Sequence, residues 1–317
     1  MSRIFTAVAF ILFSSFSFSQ SYPVKPIRLL VGYPPGGSGD FTTRIIADEL
    51  SKDLNVAVIV ENRPGAGGSI ASEFVAKAAP DGYTLLNQGN HAINKNLYKS
   101  LGYDDKDFIA ICRVANGASV MVVNNDTPFK SAKELIAYAR ANPGKLFAAS
   151  AGFGSAPHLA SVGFEAAAGI KFTTIQFKGG GPAAQSLLAG DTQVMFATSP
   201  TVMGFIKGGR VRPLMISMQK ASPSIPGIPG SDEGGLPGFE STFWFGLYAP
   251  AGTPMEIVRR LHAAAAKGLA KPEVREKIAL QGMDAAPSAS PEAFAAEIRA
   301  EAPMWERVIR ESGAKVE

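Results

Sequence analysis

The 317-residue sequence is short of the residues that most often build cross-links and metal sites. It contains one cysteine, Cys112, and three histidines. A single cysteine excludes an internal disulfide, and no two histidines are spaced as a metal-binding pair. Cys112 lies in the apolar run FIAICRVA, which favours a small buried side chain. We expect no metal and no cofactor in this protein.

Charge is also scarce, and it is spread evenly. Charged residues make up 18% of the chain and leave a formal net charge of +4 at pH 7. The basic residues form no cluster of the kind that binds nucleic acid, so no nucleic-acid partner is expected. The mild positive excess slightly favours small anionic ligands.

Long apolar runs are missing except at the N-terminus, and that run is too short to span a membrane. Arg3 precedes an apolar stretch over residues 4–13, and residues 17–19 form a small-x-small cleavage site. These features predict a signal peptide over residues 1–19, with cleavage after Ser21 as an alternative. The mature protein is expected to be exported and soluble.

The order of the predicted elements indicates an α/β protein with two lobes. Strand-like and helix-like segments alternate through most of the chain, which is typical of folds with largely parallel sheets. The chain also exceeds the size of a comfortable single core. Residues 108–124 suit a pair of strands or one long crossing strand, and Pro303 is expected to end or kink the last helix.

One stretch, GYPPGGSGDFTTRII over residues 32–46, places four glycines and two prolines between two regular segments. Residues 27–31 before it have the pattern of a buried strand, and apolar residues after it recur at helical spacing behind Asp40, a predicted N-cap. This arrangement points unpaired backbone N–H groups at the space above the strand. The usual occupant of such a space is an anion.

The identity of the anion stays open at this point, although the spacing argues against nucleotides. The last glycine is not followed by the Lys and Ser or Thr of a P-loop, and a carboxylate at Asp40 would repel a polyphosphate. Ser38 lacks the glycine two places on that a hydrolase elbow needs. A tight turn that binds nothing is the remaining alternative.

Residues 148–160 repeat the strand–loop–helix pattern, with Ser155 as the predicted N-cap and His158 one turn into the helix. His158 either packs against the helix start or borders a ligand and donates a hydrogen bond. The two side chains lack an acid partner and an oxyanion motif, so a nucleophilic pair is not expected.

Further glycine loops follow the same pattern. Residues 176–190 contain a strand and three glycines beside Lys178, which either supplies charge to a cleft or is solvated. Asn90 and His91 come just after another predicted strand. For the glycines at 65–68 a packing connection is favoured, because only some carboxyl ends of a parallel sheet face a cleft. Several helix N-termini with little acid–base machinery favour binding of carboxylates over their transformation.

Four segments together resemble successive signatures of the Bug family: YPVKPIRLLVGYPPGGSGD, VIVENRPGAGGSIASEFVAKAAPDGYTLL, FKGGGPAAQSLLAG and FWFGLYAPAGTP. Members are periplasmic receptors of tripartite tricarboxylate transporters, also called TctC-type. The likeness covers essentially the whole mature chain in family order. It implies a type II periplasmic-binding-protein fold, in which two α/β lobes are joined by two crossing segments around a ligand cleft.

The resemblance and the apolar crossing stretches VMVVNN and FWFGLY predict how the chain is divided. Residues 22–123 together with residues 247–317 are expected to form lobe 1, and residues 124–246 lobe 2. Closure is expected to be a hinge motion in which the ligand gains contacts to both lobes.

The family further implies that glycine loops hold a small carboxylate through backbone N–H groups and ordered water. Carried over by position, these loops are residues 33–40, 150–158 and 177–181. The expected substrate-binding residues are Tyr33, Gly36, Gly37, Ser38, Asp40, Asn90, His91, Ser150, Gly152, Gly154, Ser155, His158, Phe177, Lys178, Gly179, Ala197 and Thr198. No catalytic residue is expected.

The sequence departs from the family pattern at two places. Gln193 and Ala197 stand where members commonly have aspartates, and Phe177 stands where many have tyrosine. Loss of a carboxylate at Ala197, at a predicted strand end, would remove repulsion toward an anion, and Phe177 makes its wall more apolar. Both departures favour a bulkier or aromatic carboxylate such as terephthalate.

We therefore expect a monomeric periplasmic solute-binding protein, not an enzyme, that captures an organic acid with one or two carboxylates. Its expected partners are the membrane subunits of a tripartite tricarboxylate-type transporter. Two alternatives stay open: a ligand-sensing partner of a membrane sensor kinase, and a hydrolase or transferase on the same scaffold. An enzyme needs a nucleophile–base pair within about 3 Å, and the sequence offers no convincing one.

Overall fold

The computed structural model describes residues 22–89 and 94–312. The predicted signal peptide lies outside these residues, as do the predicted site residues Asn90 and His91. The strands are β1 (Ile27–Val31), β2 (Val58–Asn62), β3 (Thr84–Gln88), β4 (Phe108–Asn124), β5 (Phe147–Ser150), β6 (Thr173–Gln176), β7 (Val194–Thr198), β8 (Val211–Ile216), β9 (Thr242–Pro250) and β10 (Met283–Ala285).

The helices connect these strands in the alternating order that the sequence predicts. They are α1 (Ser38–Leu54), α2 (Ser69–Ala76), α3 (Asn94–Leu97), α4 (Ala132–Ala141), α5 (Ala156–Ala168), α6 (Gly180–Ala189), α7 (Ser199–Lys207), α8 (Ser231–Gly234), α9 (Met255–Leu269), α10 (Pro272–Ala279) and α11 (Pro291–Ser312). Within the described ranges, no helix is both long enough and apolar enough to cross a bilayer.

The last helix, α11, runs through Pro303 and continues to Ser312, so the proline does not end it. Beyond the proline, Trp305 and Ile309 are buried in an apolar cluster that also contains Leu97 of α3 and Leu159 of α5. Burial of these large side chains offsets the roughly 3 kcal/mol that an internal proline costs a helix.

The first sheet has the strand order β2-β1-β3-β9-β4, and β10 pairs with the other side of β4. β1 is parallel to β2 and to β3, whereas β9 is antiparallel to both β3 and β4. The sheet is therefore mixed where the sequence predicted largely parallel pairing, because the long crossing strands enter it antiparallel.

The second sheet has the order β8-β4-β7-β5-β6. β5 is parallel to β6 and to β7, and β4 is antiparallel to β7 and β8. The carboxyl ends of parallel strands meet at one edge of a sheet, so the loops after β5, β6 and β7 leave from the same side.

β4 belongs to both sheets, so residues 108–124 form one long crossing strand and not a pair. Its residues pair with β9 as far as Ala118 and with β7 and β8 from Ser119 onward. The chain crosses back at Ser241, just before β9. The division of the chain into lobes stays a prediction, and the strand pairing favours boundaries a few residues earlier than those predicted.

Each sheet is covered by helices that enclose an apolar core. In the first core Leu29 of β1, Leu50 of α1 and Leu261 of α9 are fully buried, and so is Cys112, as predicted. In the second, Phe164 of α5 packs against β7. Each fully buried side chain of this size contributes roughly 1.5–3 kcal/mol, so the cores hold the two sheets rigid while the site loops project from their edges.

Candidate functional site

A cavity of about 740 Å³ lies between the two sheets. This volume is within the roughly 300–1,000 Å³ that is usual for small-molecule sites. The lining consists of residues 32–39, 64–68, 151–157, 177–182 and 242–245 with Gly89, Asn94, Tyr98, Leu159, Gln185, Met195, Thr198, Pro200, Thr201, Phe205 and Trp305. Most of its wall is therefore made by loops at the carboxyl ends of strands.

Helices α1, α2, α5, α6 and α7 all begin at this cavity. The Ser155 hydroxyl caps α5 by accepting a hydrogen bond from the backbone N–H of His158 at 3.4 Å, as predicted. Within the described residues no side chain caps α1, α2, α6 or α7. The first N–H groups of a helix have no partner inside it, and the helix dipole puts partial positive charge there. At the start of α2 the Ser69 N–H is donated to the carbonyl oxygen of Ala66 in a preceding 3-10 turn. The remaining N–H groups at these four N-termini give the cavity the electrostatics of an anion site.

The start of α1 differs from the sequence prediction. The helix begins at Ser38 with Gly37 as its N-cap, so Asp40 lies in the first turn and is not the N-cap. Gly36 has a φ of +85°, a conformation that glycine adopts without steric cost. The prediction failed because Ser38 and Gly39 extend the helix toward the strand.

Asp40 holds the glycine loop in shape but does not line the cavity. Its carboxylate is buried and accepts hydrogen bonds from the Gly36 N–H at 3.0 Å and from Asn62 Nδ2 at 2.9 Å. Arg44 binds both of its oxygens, at 3.0 and 2.9 Å. Burial alone raises the pKa of Asp40, but these hydrogen bonds lower the pKa more, and the net pKa lies below the usual value. The charge is therefore neutralised within the loop.

His158 packs against the helix start, and it too lies outside the cavity lining. Its Nδ1 accepts a hydrogen bond from the Gly154 N–H at 3.4 Å, and its ring centroid is 4.8 Å from that of Phe153. Burial lowers the pKa of His158 to about 4, so the imidazole is neutral at pH 7. Ser150 is also buried, with its hydroxyl accepting from the Gly152 N–H at 3.4 Å.

Ala197 is fully buried in an apolar cluster between β7 and helices α6 and α7, which is separate from the core around Phe164, and it does not line the cavity as the family pattern led us to expect. It pairs with Val120 of β4 and lies in the same apolar cluster as Ala183 of α6. A carboxylate here would be desolvated among apolar side chains, so alanine suits this packing. The next residue, Thr198, does line the cavity, with its Oγ1 3.0 Å from Oγ1 of Thr201.

The charge at the cavity is positive. Among the described residues that line it, Lys178 is the one charged side chain, and none is a carboxylate. Lys178 is exposed, so it is solvated as well as adjacent to the cavity. Phe177 beside it is partly buried against the apolar cluster that contains Ala197. This lining favours an anionic ligand over a cationic one.

Aromatic side chains supply much of the remaining wall. They are Tyr33, Tyr98, Phe153, Phe177, Phe205, Phe243, Trp244, Phe245 and Trp305. The indole N–H of Trp244 donates a 2.7 Å hydrogen bond to Glu301 Oε2, which lies outside the lining. The polar atom of this ring is thus satisfied away from the cavity.

The two sides of the cavity approach each other closely at its rim. A Cβ atom on Gly179 would lie 3.1 Å from Cγ of Pro34, and one on Gly67 would lie 3.1 Å from the carbonyl oxygen of Phe153. The φ angles of the two glycines are +118° and +62°. Both the backbone conformation and the close approach therefore require glycine.

The structure brings most of the predicted site residues together at this cavity. Those in its lining are Tyr33, Gly36, Gly37, Ser38, Gly152, Gly154, Ser155, Phe177, Lys178, Gly179 and Thr198. Those outside it are Asp40, Ser150, His158 and Ala197, while Asn90 and His91 lie outside the described residues.

Some lining residues were missed by the sequence prediction. The glycine loop at 64–68, for which a packing connection was favoured, lines the cavity, and its repetition of the strand–loop–helix pattern was the signal that could have identified it. Residues 242–245 and Trp305 also line the cavity. They lie in β9 and α11, far along the chain and without a local binding motif.

The class of the protein follows from a comparison with known families. The model of the tripartite tricarboxylate transporter family receptor, TctC, matches residues 42–314. The chain belongs to this family. TctC receptors are periplasmic solute-binding proteins, so the predicted membership of the Bug family and the prediction that this is not an enzyme are both confirmed.

Individual relatives match along nearly their whole length. BugT of Bordetella pertussis (strain Tohama I) is 35% identical over 303 residues, which are 94% of this chain and 92% of BugT. Rpa4515 of R. palustris, solved with adipate, has a TM-score of 0.88 and 31% identity, covering 92% of this chain and 98% of that one. MatC from Rhodopseudomonas palustris, with bound malate, has a TM-score of 0.84 and 30% identity, covering 91% of this chain and 100% of that one. These matches confirm the predicted two-lobed periplasmic-binding-protein fold.

Proposed function

We propose that this TctC-family receptor captures a small organic acid with one or two carboxylates and delivers it to the membrane subunits of a tripartite tricarboxylate-type transporter. One observation carries the proposal: four helix N-termini without side-chain caps meet at a cavity whose described lining contains no carboxylate. Such N-termini offer N–H donors and partial positive charge to a ligand carboxylate.

The N-termini come from both sides of the cavity, which suits a ligand with two carboxylates. α1 and α2 follow strands of the first sheet, and α6 and α7 follow strands of the second. A diacid could thus present one carboxylate to each lobe. The adipate of Rpa4515 and the malate of MatC, both dicarboxylic acids bound by similar proteins, support this ligand class.

The aromatic wall supports a narrower choice within that class. Phe177, Trp244 and Phe245 are among the aromatic residues that line the cavity. Aromatic rings pack favourably against one another and against apolar ligand carbon. A bulkier or aromatic diacid such as terephthalate therefore belongs among the ligands that we propose.

The protein acts as a monomer that closes around its ligand. The close approaches of Gly179 to Pro34 and of Gly67 to Phe153 support a closed arrangement of the lobes. A hinge motion at the two crossings would open this rim and admit the acid.

A thermal-shift screen tests the proposal. Adipate, malate and terephthalate are added to the mature protein, with adipamide as a neutral control that keeps the length and replaces both carboxylates. At 100 times its Kd a ligand stabilises the fold by about 2.7 kcal/mol, which raises the melting temperature measurably. At least one of the acids should do this and adipamide should not. Equal melting temperatures with every acid and with no addition would contradict the proposal.

A further inference from the structure

The phenol ring of Tyr33 is held in one position at the cavity wall. Tyr33 follows β1 and lines the cavity. Its ring packs so closely over Gly39 that a Cβ atom on that glycine would lie 2.5 Å from Cδ2 of the tyrosine. The ring also meets Phe245 edge to face, with 5.9 Å between centroids. The hydroxyl group therefore has a defined place.

The oxygen of that hydroxyl already accepts a hydrogen bond from the protein. Nε2 of Gln88 donates to it at 3.1 Å. Burial raises the pKa of Tyr33, so the hydroxyl keeps its proton at neutral pH. A phenol has one hydrogen to donate, and among the described residues none accepts it. Because Gln88 already donates to its oxygen, the hydroxyl is left to act as a donor.

Gln88 is fixed in the orientation that makes this possible. It is 1% exposed, and the second hydrogen of its amide is donated to the carbonyl oxygen of Gly67 at 3.1 Å. A reversed amide would bring its oxygen against that carbonyl oxygen. The Gly67 carbonyl oxygen and the Tyr33 hydroxyl oxygen both accept hydrogen bonds from Gln88 Nε2. These two bonds keep the nitrogen of the Gln88 amide, and not its oxygen, directed at Tyr33.

From this geometry we infer that the Tyr33 hydroxyl donates a hydrogen bond to a carboxylate oxygen of the ligand, and that Gln88 is the positioning residue that turns it toward the cavity. The inference rests on the proposed function, because it needs an acid in the cavity. It adds a side-chain donor to a site that otherwise uses backbone N–H groups. Tyr33 as the donor and Gln88 as its positioning residue then contribute together to recognition of the acid.

The first test is Tyr33→Phe, which removes the hydroxyl and keeps the ring. Binding of adipate, malate and terephthalate is titrated calorimetrically to the parent and to the variant. Loss of one charge-assisted hydrogen bond should raise Kd about tenfold to a hundredfold for the acids that the parent binds. Tyr138→Phe is the matched control, because Tyr138 lies on α4 and is 38% exposed, away from the cavity; its Kd should equal that of the parent.

The second test asks whether Gln88 acts through Tyr33. Gln88→Met is made in the parent and in the Tyr33→Phe background, and circular dichroism checks that all four proteins are folded. The methionine should raise Kd in the parent and leave it unchanged in the Tyr33→Phe background, because the group that Gln88 orients is then absent. An equal increase in both backgrounds would show a general structural effect and overturn the positioning role.

The outcomes separate this inference from the proposed function. A parent protein that binds none of the three acids refutes the proposed function. A parent that binds them while folded Tyr33→Phe binds with the same Kd refutes the inference alone.

Discussion

The backbone N–H of Ser119 donates a 2.8 Å hydrogen bond to the hydroxyl of Ser217, and the backbone N–H of Ser217 donates to the carbonyl oxygen of Ser119 at 2.8 Å. Ser119 is the point at which β4 passes from one sheet to the other. The Ser217 hydroxyl also donates to the carbonyl oxygen of Ser241 at 2.6 Å, where the chain crosses back. One buried side chain thus joins both crossings between the lobes.

Ser217→Ala should destabilise the protein more than an ordinary buried serine substitution does. It leaves the Ser119 N–H and the Ser241 carbonyl oxygen without this partner, at a cost of about 1–3 kcal/mol in the free energy of unfolding. Ser186→Ala is the control, since that buried hydroxyl pairs with Thr192 alone among the described side chains, at 3.3 Å. Urea unfolding measures both. Equal losses for the two variants would contradict the bridging role of Ser217.

Gly179→Ala should impair closure as well as stability. The added Cβ would lie 3.1 Å from Pro34 across the rim, at a residue with a φ of +118°. Gly227→Ala also places a side chain at a positive φ, of +80°, but meets nothing within 4 Å. Each should lose about 1–3 kcal/mol of stability from its backbone conformation, and the loss should be larger at Gly179, whose ψ of 170° puts it in a region that is essentially restricted to glycine.

The two variants, Gly179→Ala and Gly227→Ala, should differ in how far the lobes close on the ligand. Small-angle scattering with saturating ligand should report a larger radius of gyration for Gly179→Ala than for Gly227→Ala, and Kd should rise only for the former. If both variants compact on ligand addition as the parent does, the rim contact does not control closure.

His158 should make the fold sensitive to acid. Its pKa in the folded protein is about 4, below the value of about 6.5 that an unfolded histidine has. Between these values the unfolded chain binds a proton that the folded protein does not, so stability is lost as pH falls from 6.5 toward 4. The loss from this group is about 3 kcal/mol at pH 4.

The matched measurement for His158 uses His158→Gln, which cannot titrate. The free energies of unfolding of parent and variant are compared from pH 7.5 to pH 4 by urea titration. The difference between them should shift by about 3 kcal/mol against the parent on acidification. Parallel curves over this range would show that His158 is not the titrating group.

The local parts of the fold and of the site could be predicted because they depend on short-range rules. The apolar pattern of residues 27–31 predicted a buried strand, and the structure confirms a strand over Ile27–Val31. Ser155 was recognised as an N-cap from its place before the helix, and it makes that bond. The glycine loops were identified for the same reason, since their conformations are set by their own residues.

The tertiary parts could not be predicted from local pattern. Ala197 and Thr198 are adjacent at the end of β7, yet one lies in the core and the other lines the cavity. The face of β7 that meets the cleft depends on how α6 and α7 pack against it. The spacing of residues within the strand does not predict that packing. Trp244 and Trp305 reach the cavity from distant elements. Their contribution depends on the assembly of the whole sheet.

Recognition of a carboxylate by the main chain at the start of α1 is central to the proposed function, and Gly37→Val tests it most directly. Gly37 lines the cavity with a φ of −87°, which valine can adopt, and an added Cβ would meet only the carbonyl oxygen of Pro34 at 3.8 Å. The fold should therefore tolerate the change, while the branched side chain covers the N–H groups beside it.

Gly204→Val is the matched control, because an added Cβ there meets nothing within 4 Å and the residue lies outside the cavity lining. Calorimetric titration of the acid that gives the largest thermal shift is the decisive measurement, with folding verified by circular dichroism. Kd should rise about tenfold to a hundredfold for Gly37→Val and stay unchanged for Gly204→Val. A folded Gly37→Val protein that binds the acid as tightly as the parent would show that the loop before α1 is a turn that takes no part in binding.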